Sequence, residues 1–294
     1  MGLTITSIDH SFAGRVDGVD LSRPVDDDVF ARIRDAFHRH AVLVITGQDA
    51  LEDAAQVAFS QRFGPLERSI RFDKSGGGQL PEISNLTNVD EDGSLYPLDD
   101  SRARYHAGNE MWHTDSSFKP VPANASLLSG RVVPPEGGDT EFADARAAYD
   151  ALSAARKAEI DDLVVEHSII YSRSLMGGDV IFNEADRAAL PPVHQTLVRT
   201  HPETGRKALY TGSHASHVIG WPGEKGRAVL KELLDHTVQA RFVWRHRWSA
   251  GDLVMWDNRS VLHRARPYPA DRYPRIMRRT TVAGDGPTVI TEAA

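Results

Sequence analysis

The feature that most constrains the fold is a pair of short segments, far apart in the chain, that both carry possible metal ligands. Residues 109–117 contain His113 and Asp115, and residues 254–264 contain His263. His113 and Asp115 are two positions apart, so on a β-strand or another extended segment their side chains point to the same side. Together they supply two ligands of a mononuclear metal site, and His263 is the best candidate for the third. A chain that uses all three must fold so that these segments meet.

Two histidines and one carboxylate on one face of a metal ion leave its opposite face open. That is the facial triad of non-haem Fe(II) oxygenases. The His-x-Asp pair alone is weak evidence, because the chain contains 13 histidines. A surface histidine beside an exposed acid is one alternative for the pair, and a buried histidine bonded to a backbone carbonyl is another for His263. At this point both alternatives remain open.

Composition excludes several other classes of protein. The formal net charge of -7 argues against nucleic acid as a general partner. No apolar run approaches the roughly 20 residues that a membrane-spanning helix needs, and no export signal is visible at the N-terminus. Cysteine is absent, which excludes disulfides, iron–sulfur clusters and a thiolate nucleophile. We expect a cytoplasmic protein whose metal is held by nitrogen and oxygen.

Local patterns predict the first secondary-structure elements. Residues 26–40 have apolar side chains at helical spacing and acidic residues in the first turn, and a second helix is predicted over 53–63. Between them, residues 41–46 form a continuous, β-branched apolar run, typical of a strand buried on both faces. Residues 68–78 and 90–108 are polar and lack periodicity. Long loops of this kind are usually functional lids or disordered segments.

The rest of the chain alternates short strands with helices. Strands are predicted at 82–86, 125–133, 241–248, 253–256, 260–265 and 278–283, a hairpin at 193–199 and 207–210, and helices at 143–152, 154–164 and 224–238. This pattern favours a mainly β fold with flanking helices, built on an antiparallel jelly-roll sandwich. Ligands at the ends of neighbouring strands would then meet at the mouth of the barrel. No repeat or linker divides the chain, so we expect a single domain over 1–294.

Six arginines crowd the segment after His263: Arg264, Arg266, Arg272, Arg275, Arg278 and Arg279. Such a run is usually a solvated cationic face. Arg275 and Arg279 nevertheless flank apolar residues that lead into a strand, so we expect at least one to point inward. A buried guanidinium requires an anionic partner, and its planar fork suits a carboxylate. Thr140 could be a second donor to that carboxylate, or simply a residue that favours a strand.

Taken together, these segments resemble the TauD/TfdA family of Fe(II)- and 2-oxoglutarate-dependent dioxygenases, over essentially the whole chain. The resemblance is carried by the motifs Trp112–Phe118, Gly138–Asp144, Glu166–Ser168 with Tyr171–Arg173, and the run from Trp256 to Arg264. Within the family the chain is most similar to the 2,4-dichlorophenoxyacetate (TfdA-like) dioxygenases. The motifs are specific for the metal site as a set and less specific for the substrate, because related enzymes act on other carboxylates and on sulfonates.

The resemblance implies a double-stranded β-helix (cupin-like) core, with Fe(II), 2-oxoglutarate as co-substrate and O2. The implied iron ligands are His113, Asp115 and His263. Thr140 and Arg275 match the positions that hold the distal carboxylate of 2-oxoglutarate. Arg279 matches an arginine near the other end of the co-substrate and near the substrate anion.

The implied reaction belongs to the catabolism of aromatic compounds. Hydroxylation of an aryloxyalkanoate next to its ether oxygen gives a phenol and glyoxylate, with succinate and CO2 from 2-oxoglutarate. For the substrate anion we predict Arg71, Ser117 and Arg279, although Arg71 could equally be solvated. Taurine, an alkyl sulfate or another small organic acid is the alternative substrate. A zinc hydrolase and a non-catalytic binding protein are the alternatives of other classes, and homo-oligomerisation is left open.

Overall fold

The centre of the fold is the strand Leu253–Asp257, in which every side chain is buried. It pairs antiparallel with Val42–Ile45 on one side and with Ala125–Val132 on the other. Both neighbours are also largely buried, as expected for apolar runs that are covered on both faces of a sheet. The computed structural model describes residues 2–9, 11–68, 80–176 and 182–289.

The strands of the described residues are β1 (Thr4–Ser7), β2 (Ala13–Asp17), β3 (Val42–Ile45), β4 (Ser84–Thr87), β5 (Ala125–Val132), β6 (Thr140–Asp144), β7 (Val164–His167), β8 (Val193–Thr196), β9 (Val198–Thr200), β10 (Lys207–Leu209), β11 (Ala215–Val218), β12 (Val243–His246), β13 (Leu253–Asp257), β14 (Val261–Ala265) and β15 (Ile276–Val282). The α-helices are α1 (Asp27–His40), α2 (Asp53–Gln61), α3 (Ser101–Ala107), α4 (Ala145–Asp150), α5 (Ala154–Ile160), α6 (Ile169–Ser174), α7 (Glu184–Ala189) and α8 (Gly223–Thr237). Short 3₁₀ helices cover Gly108–Glu110 and Ala240–Phe242.

Two sheets form the sandwich. The larger has seven strands in the order β1-β2-β3-β13-β5-β15-β4, and the smaller has the order β12-β6-β14. All pairings in them are antiparallel except that of β2 with β3. Strands β11-β7-β8 and the pair β10-β9 build a further layer, in which apolar residues pack against α4, α5 and α8.

Each face of the large sheet is covered by a different layer. Helices α1 and α2 bury Phe30, Phe37 and Phe59 against one face. On the other face Phe142 of the small sheet packs against Trp256, with ring centroids 5.6 Å apart. Apolar burial on both faces is the main force that holds such layers together. The expected mainly β, helix-flanked jelly-roll fold is thereby confirmed.

The structure corrects the sequence prediction where elements are short. Part of the predicted loop over 90–108 is helix α3, which Asp100 caps by accepting a hydrogen bond from the Arg102 backbone N–H at 2.7 Å. Helices α6 and α7 also lay outside the predicted elements, because six residues are too few to show a helical period. The predicted strand 193–199 divides at the buried Leu197, so that β8 pairs with β7 and β9 with β10. Within the described residues, no helix has the length and apolar character needed to cross a bilayer.

Candidate metal centre and its two cavities

His113 and His263 are brought together by backbone hydrogen bonds. His263 lies in β14 and His113 forms an isolated antiparallel bridge with it. The His113 N–H donates to the His263 carbonyl at 3.0 Å, and the His263 N–H donates back at 2.8 Å. The two imidazole centroids are 4.2 Å apart. Pairing with β14 therefore brings two histidines that are remote in sequence close enough to bind one metal ion.

Asp115 completes a compact cluster of possible ligands. Its carboxylate oxygens lie 4.0 Å from His113 Nε2 and 3.6 Å from His263 Nε2. One ligand atom from each residue lies within 4.8 Å of the others, and all three side chains are buried. His113 Nδ1 is 2.7 Å from the Met111 carbonyl, a contact that leaves Nε2 as the nitrogen able to bind a metal. Two imidazole nitrogens and one carboxylate oxygen in this arrangement fit a facial metal triad.

The orientation of Asp115 depends on Asn258, which lies in the turn between β13 and β14. The side-chain oxygen of Asn258 accepts the Asp115 backbone N–H at 3.1 Å, and its amide nitrogen donates to Ser126 Oγ at 3.0 Å. Ser126 in turn donates to Asp115 Oδ2 at 2.7 Å. The Thr114 hydroxyl donates to the Asn258 carbonyl at 2.8 Å. This network orients the Asp115 carboxylate.

Burial and a neighbouring guanidinium favour an ionised carboxylate and neutral imidazoles. Burial by itself would raise the pKa of Asp115, but the nearby Arg279 guanidinium lowers it below its usual value. Arg279 Nη1 donates to Asp115 Oδ1 at 2.6 Å. Burial lowers the pKa of His113 and holds that of His263 well below its usual value. All three side chains therefore present the protonation states that bind a metal ion.

A smaller cavity of about 170 Å³ opens on one side of the cluster. Thr140, Arg275 and His263 line it. Arg275 is buried, its Nη2 makes a long 3.4 Å contact with the Gly138 carbonyl, and its Nε has no hydrogen-bond partner among the described residues. Thr140 Oγ1 accepts a hydrogen bond from Trp248 Nε1 at 3.0 Å, which leaves the hydroxyl proton free to donate. A guanidinium and a hydroxyl donor in one cavity are suited to a carboxylate.

A second, larger cavity of about 310 Å³ also borders the cluster, and His113 and Arg279 line both cavities. Its apolar wall comes from Leu86, Tyr105, Phe118 and Ile169. Its basic side chains are Arg68, Arg102, Lys119, Arg173 and Arg279. The three candidate ligands thus lie where a cavity with donors for a carboxylate meets a wider cavity with apolar and cationic walls.

The three predicted substrate-binding residues have different environments. Arg279 lines both cavities but is paired with Asp115. Ser117 lies behind the wall, where its hydroxyl is 2.9 Å from Nδ1 of the cavity residue His214 and its carbonyl accepts from Gln195 at 2.9 Å. Arg71 lies outside the described residues. The substrate role of all three residues stays a prediction.

Three residues of this site were absent from the sequence prediction. Asn258 was interpreted only as part of a turn, although an amide between two candidate ligand segments is a signal that could have indicated a bridging role. Arg173 was noted in a family motif without a role, and its burial is not visible in the sequence. His214 has no nearby motif, and in the structure its ring lies 5.9 Å from that of His113.

Comparison with known proteins agrees with this geometry. Residues 4–281 match the family model described as taurine catabolism dioxygenase TauD, TfdA family. The chain is 43% identical over 290 residues to an alpha-ketoglutarate-dependent 2,4-dichlorophenoxyacetate dioxygenase of Cupriavidus pinatubonensis, which covers 96% of this chain and 98% of that protein. It is 38% identical over 291 residues to an (S)-phenoxypropionate/alpha-ketoglutarate-dioxygenase of Delftia acidovorans, covering 96% and 95%.

A solved structure, that of AAD-2 in complex with Mn(II) and N-oxalylglycine, is similar over the full length. It superimposes with a TM-score of 0.89 at 43% sequence identity, covering 99% of this chain and 100% of that chain. The resemblance inferred from the motifs is thus confirmed by sequence and by structure. The chain belongs to the TauD/TfdA family of dioxygenases.

Proposed function

We propose that the protein is an Fe(II)- and 2-oxoglutarate-dependent dioxygenase that hydroxylates an aryloxyalkanoate next to its ether oxygen. The observation that carries this proposal is the buried cluster of His113, Asp115 and His263. It borders a small cavity with hydrogen-bond donors for a carboxylate and a larger cavity with apolar and cationic walls. An aryloxyalkanoate has a flat apolar ring and an anionic tail. The larger cavity has apolar side chains that can contact the ring and basic side chains that can bind the tail.

The donor set fits iron, and the smaller cavity fits 2-oxoglutarate. His113, Asp115 and His263 would hold the metal, and Arg275 with Thr140 would bind the distal carboxylate of the co-substrate. When bound, the iron supplies the oxidative chemistry in which 2-oxoglutarate and O2 yield succinate and CO2 while a substrate C–H bond is hydroxylated. The hydroxylated aryloxyacetate is a hemiacetal, which separates into a phenol and glyoxylate.

The chain's own residues orient the reactants and exclude water. Trp248 occupies an acceptor site of Thr140, so the threonine proton is directed away from the indole and is available to a carboxylate. Arg279 balances the negative charge of Asp115. The metal ligands are all buried, so a bound co-substrate and substrate would complete a site with little access to bulk solvent.

A second candidate keeps the mechanism and changes the substrate to taurine, an alkyl sulfate or another small organic acid. The taurine-related family description favours keeping it. A zinc hydrolase is disfavoured because hydrolysis requires no site for a 2-oxo acid, such as that formed by Arg275 and Thr140. A non-catalytic sensor is disfavoured because all three candidate ligands are present.

The test is succinate formation by the Fe(II)-loaded protein with 2-oxoglutarate and one of several acids at equal concentration. We expect phenoxyacetates to give phenol and glyoxylate in step with succinate, and their methyl esters to be poor substrates. If taurine or an alkyl sulfate supports coupled turnover and phenoxyacetates do not, the ether-cleaving proposal is wrong and the second candidate replaces it. If no acid raises succinate formation, both are wrong.

Three broader expectations stay proposals. We propose that residues 1–294 form a single dioxygenase domain, that the protein acts in the cytoplasm, and that its partner is a small anionic molecule, with a homo-oligomer as the alternative to a monomer. Limited proteolysis should release no stable fragment if there is one domain. Light scattering of the purified chain gives the oligomeric state.

A further inference from the structure

The basic residues of the larger cavity differ in whether their charge is already neutralised. Most have a carboxylate partner within the protein: Lys119 with Glu67 at 2.6 Å, Arg102 with Asp90 and Asp100 at 2.9 Å, and Arg279 with Asp115 at 2.6 Å. Arg68 is exposed at the rim. An ion pair inside the protein must be broken or shared before such a residue can bind a substrate anion, which reduces the net gain.

Arg173 is the exception. Its side chain is buried, with only 7% of the residue exposed. Its hydrogen-bond partners are neutral: Nη1 donates to Ser172 Oγ at 3.3 Å and Nη2 to Asn109 Oδ1 at 3.5 Å, while Nε has no partner in the part of the chain that the structure describes. Within that same part, no carboxylate lies within ion-pair distance of Arg173. A buried guanidinium without a counter-charge is costly, so an anionic ligand is expected beside it.

The position of Arg173 places this charge close to the metal cluster. Helix α6 carries both Ile169 and Arg173 to the cavity wall, and the guanidinium lies 5.0 Å from the ring centroid of Tyr105. Burial chiefly lowers the pKa of Arg173, and its charge contributes to the lowered pKa of His113 and of His214. An anion bound by Arg173 would therefore lie inside the larger cavity, near the candidate metal ligands and the apolar wall.

Gly108 is what allows the guanidinium to occupy this place. A Cβ atom at position 108 would overlap the Arg173 guanidinium. The backbone of Gly108 has φ -59°, an ordinary right-handed conformation in which alanine is unstrained. The glycine is required by the close approach of Arg173 and not by its own backbone.

We propose that Arg173 binds the carboxylate of the aryloxyalkanoate substrate, and that Gly108 provides the space for its guanidinium. This inference rests on the proposed function and deepens it. A guanidinium presents two parallel N–H donors to a carboxylate, so it fixes both the position and the orientation of the substrate tail. The aryl ring then packs against the apolar wall formed by Leu86, Phe118 and Ile169.

The experiment measures binding of phenoxyacetate and of its methyl ester to the Fe(II)–2-oxoglutarate protein without oxygen, by calorimetry. We expect Arg173→Met to weaken phenoxyacetate binding by about 30-fold or more, as for loss of one partner of a desolvated charged pair. Binding of the neutral ester should change less than about 3-fold, so the preference for the acid over the ester collapses. The affinity for 2-oxoglutarate should be nearly unchanged, because Arg173 does not line the smaller cavity.

Three further variants separate recognition from structural support. Arg173→Lys keeps the charge without the fork and should give an intermediate preference for the acid. Gly108→Ala keeps the arginine but displaces it, and should reduce the preference for the acid even if Arg173→Met folds poorly. Arg102→Gln removes an already paired cation from the same wall and should have a smaller effect than Arg173→Met.

The outcomes distinguish this inference from the proposed function. If the wild-type protein turns over phenoxyacetates and the acid-to-ester preference survives both Arg173→Met and Gly108→Ala, the carboxylate binds elsewhere and only the inference is overturned. If the wild-type protein neither binds nor oxidises phenoxyacetates, the proposed substrate itself is wrong.

Discussion

The two cavities beside the candidate metal ligands are lined by different proportions of strands, helices and loops. The smaller one takes more of its wall from the sandwich strands, with Thr140 at the start of β6, Leu128 in β5 and Trp256 in β13. The larger one draws much of its wall from short helices and loops, including Tyr105 in α3 and Arg173 in α6. Strand positions are held by ladder hydrogen bonds on both sides, whereas short helices depend on packing. A larger share of the wall at the co-substrate end is therefore fixed by sheet hydrogen bonds.

The same two cavities are alike in their electrostatics. Each contains a buried arginine, Arg275 or Arg173, and burial lowers the pKa of both. Neither has a carboxylate partner among the described residues, and each lines a different cavity beside the candidate metal ligands. The protein therefore provides separate binding sites for two anions. Mutation of one arginine should weaken binding of one anion and leave the affinity for the other nearly unchanged.

The largest expected effect is loss of the shared metal. His263→Ala removes one of three ligands and should abolish stoichiometric iron binding and succinate formation while the fold survives. Metal analysis after anaerobic loading with Fe(II) checks this. His194→Ala, which alters an exposed histidine on β8, is the matched control. Stoichiometric iron and full turnover in His263→Ala would remove this residue from the metal site.

Arg275→Ala is expected to affect the smaller cavity alone. Removing one partner of a desolvated charged pair costs about 2–5 kcal/mol, or roughly 30- to 4000-fold in 2-oxoglutarate affinity. Phenoxyacetate affinity at saturating 2-oxoglutarate should change little. A titration of 2-oxoglutarate against the Fe(II)-loaded protein measures the effect, with the exposed Arg272→Ala as control. An unchanged 2-oxoglutarate affinity would show that Arg275 does not bind it.

Asn258→Ala tests the network that orients the shared ligand Asp115. Residues that support metal ligands typically contribute about 10- to 100-fold to metal affinity. We expect a weakening in this range, measured by Mn(II) titration, because both the Asp115 backbone and Ser126 lose a partner. Ser126→Ala should weaken binding in the same direction. Wild-type metal affinity in both variants would mean that packing alone positions the carboxylate.

A buried histidine near α6 should make the stability of the protein sensitive to acid. His167 is the last residue of β7, two positions before α6 begins, and its ring is stacked on that of Tyr210. Burial lowers the pKa of His167 from 6.5 to about 3. Between these values the unfolded chain binds a proton that the folded chain excludes, so stability falls as the pH falls below about 6.5. The loss at about pH 5 is on the order of 2 kcal/mol from this residue. Urea unfolding of wild type and His167→Phe at about pH 5 and 7.5 measures it. An equal loss of stability in both proteins would contradict the assignment.

The smallest expected effect concerns the second donor in the smaller cavity. Thr140→Val removes one hydrogen bond to a charged group, which costs about 1.5 kcal/mol, or roughly 10-fold in 2-oxoglutarate affinity. Trp248→Phe leaves the hydroxyl in place but without its orienting donor, and should weaken binding by less. If Trp248→Phe has the larger effect, the indole acts through packing and not through Thr140.

Much of the scaffold follows from local sequence. The helical spacing over 26–40 and the apolar run over 41–46 predicted α1 and β3 within one or two residues, because periodicity and burial on both faces are properties of a short segment. The segments containing His113, Asp115 and His263 were recognisable as a set, because the motifs around them resemble those of one family. The apolar residues between Arg275 and Arg279 predicted that at least one of the two arginines points inward, and Arg275 is buried.

Only the tertiary structure decided which polar groups are paired. In the sequence Arg173, Arg102 and Arg279 are equivalent cations; in the fold two of them meet carboxylates and Arg173 meets none among the described residues. Asn258 became the support of the metal centre because a turn placed it between β5 and the segment that carries Asp115. Pairing depends on distances between residues remote in sequence, and no local pattern contains them. The residue types of the metal centre were therefore determined by the sequence. The fold decided which of the basic side chains around it are left available to bind an anionic ligand.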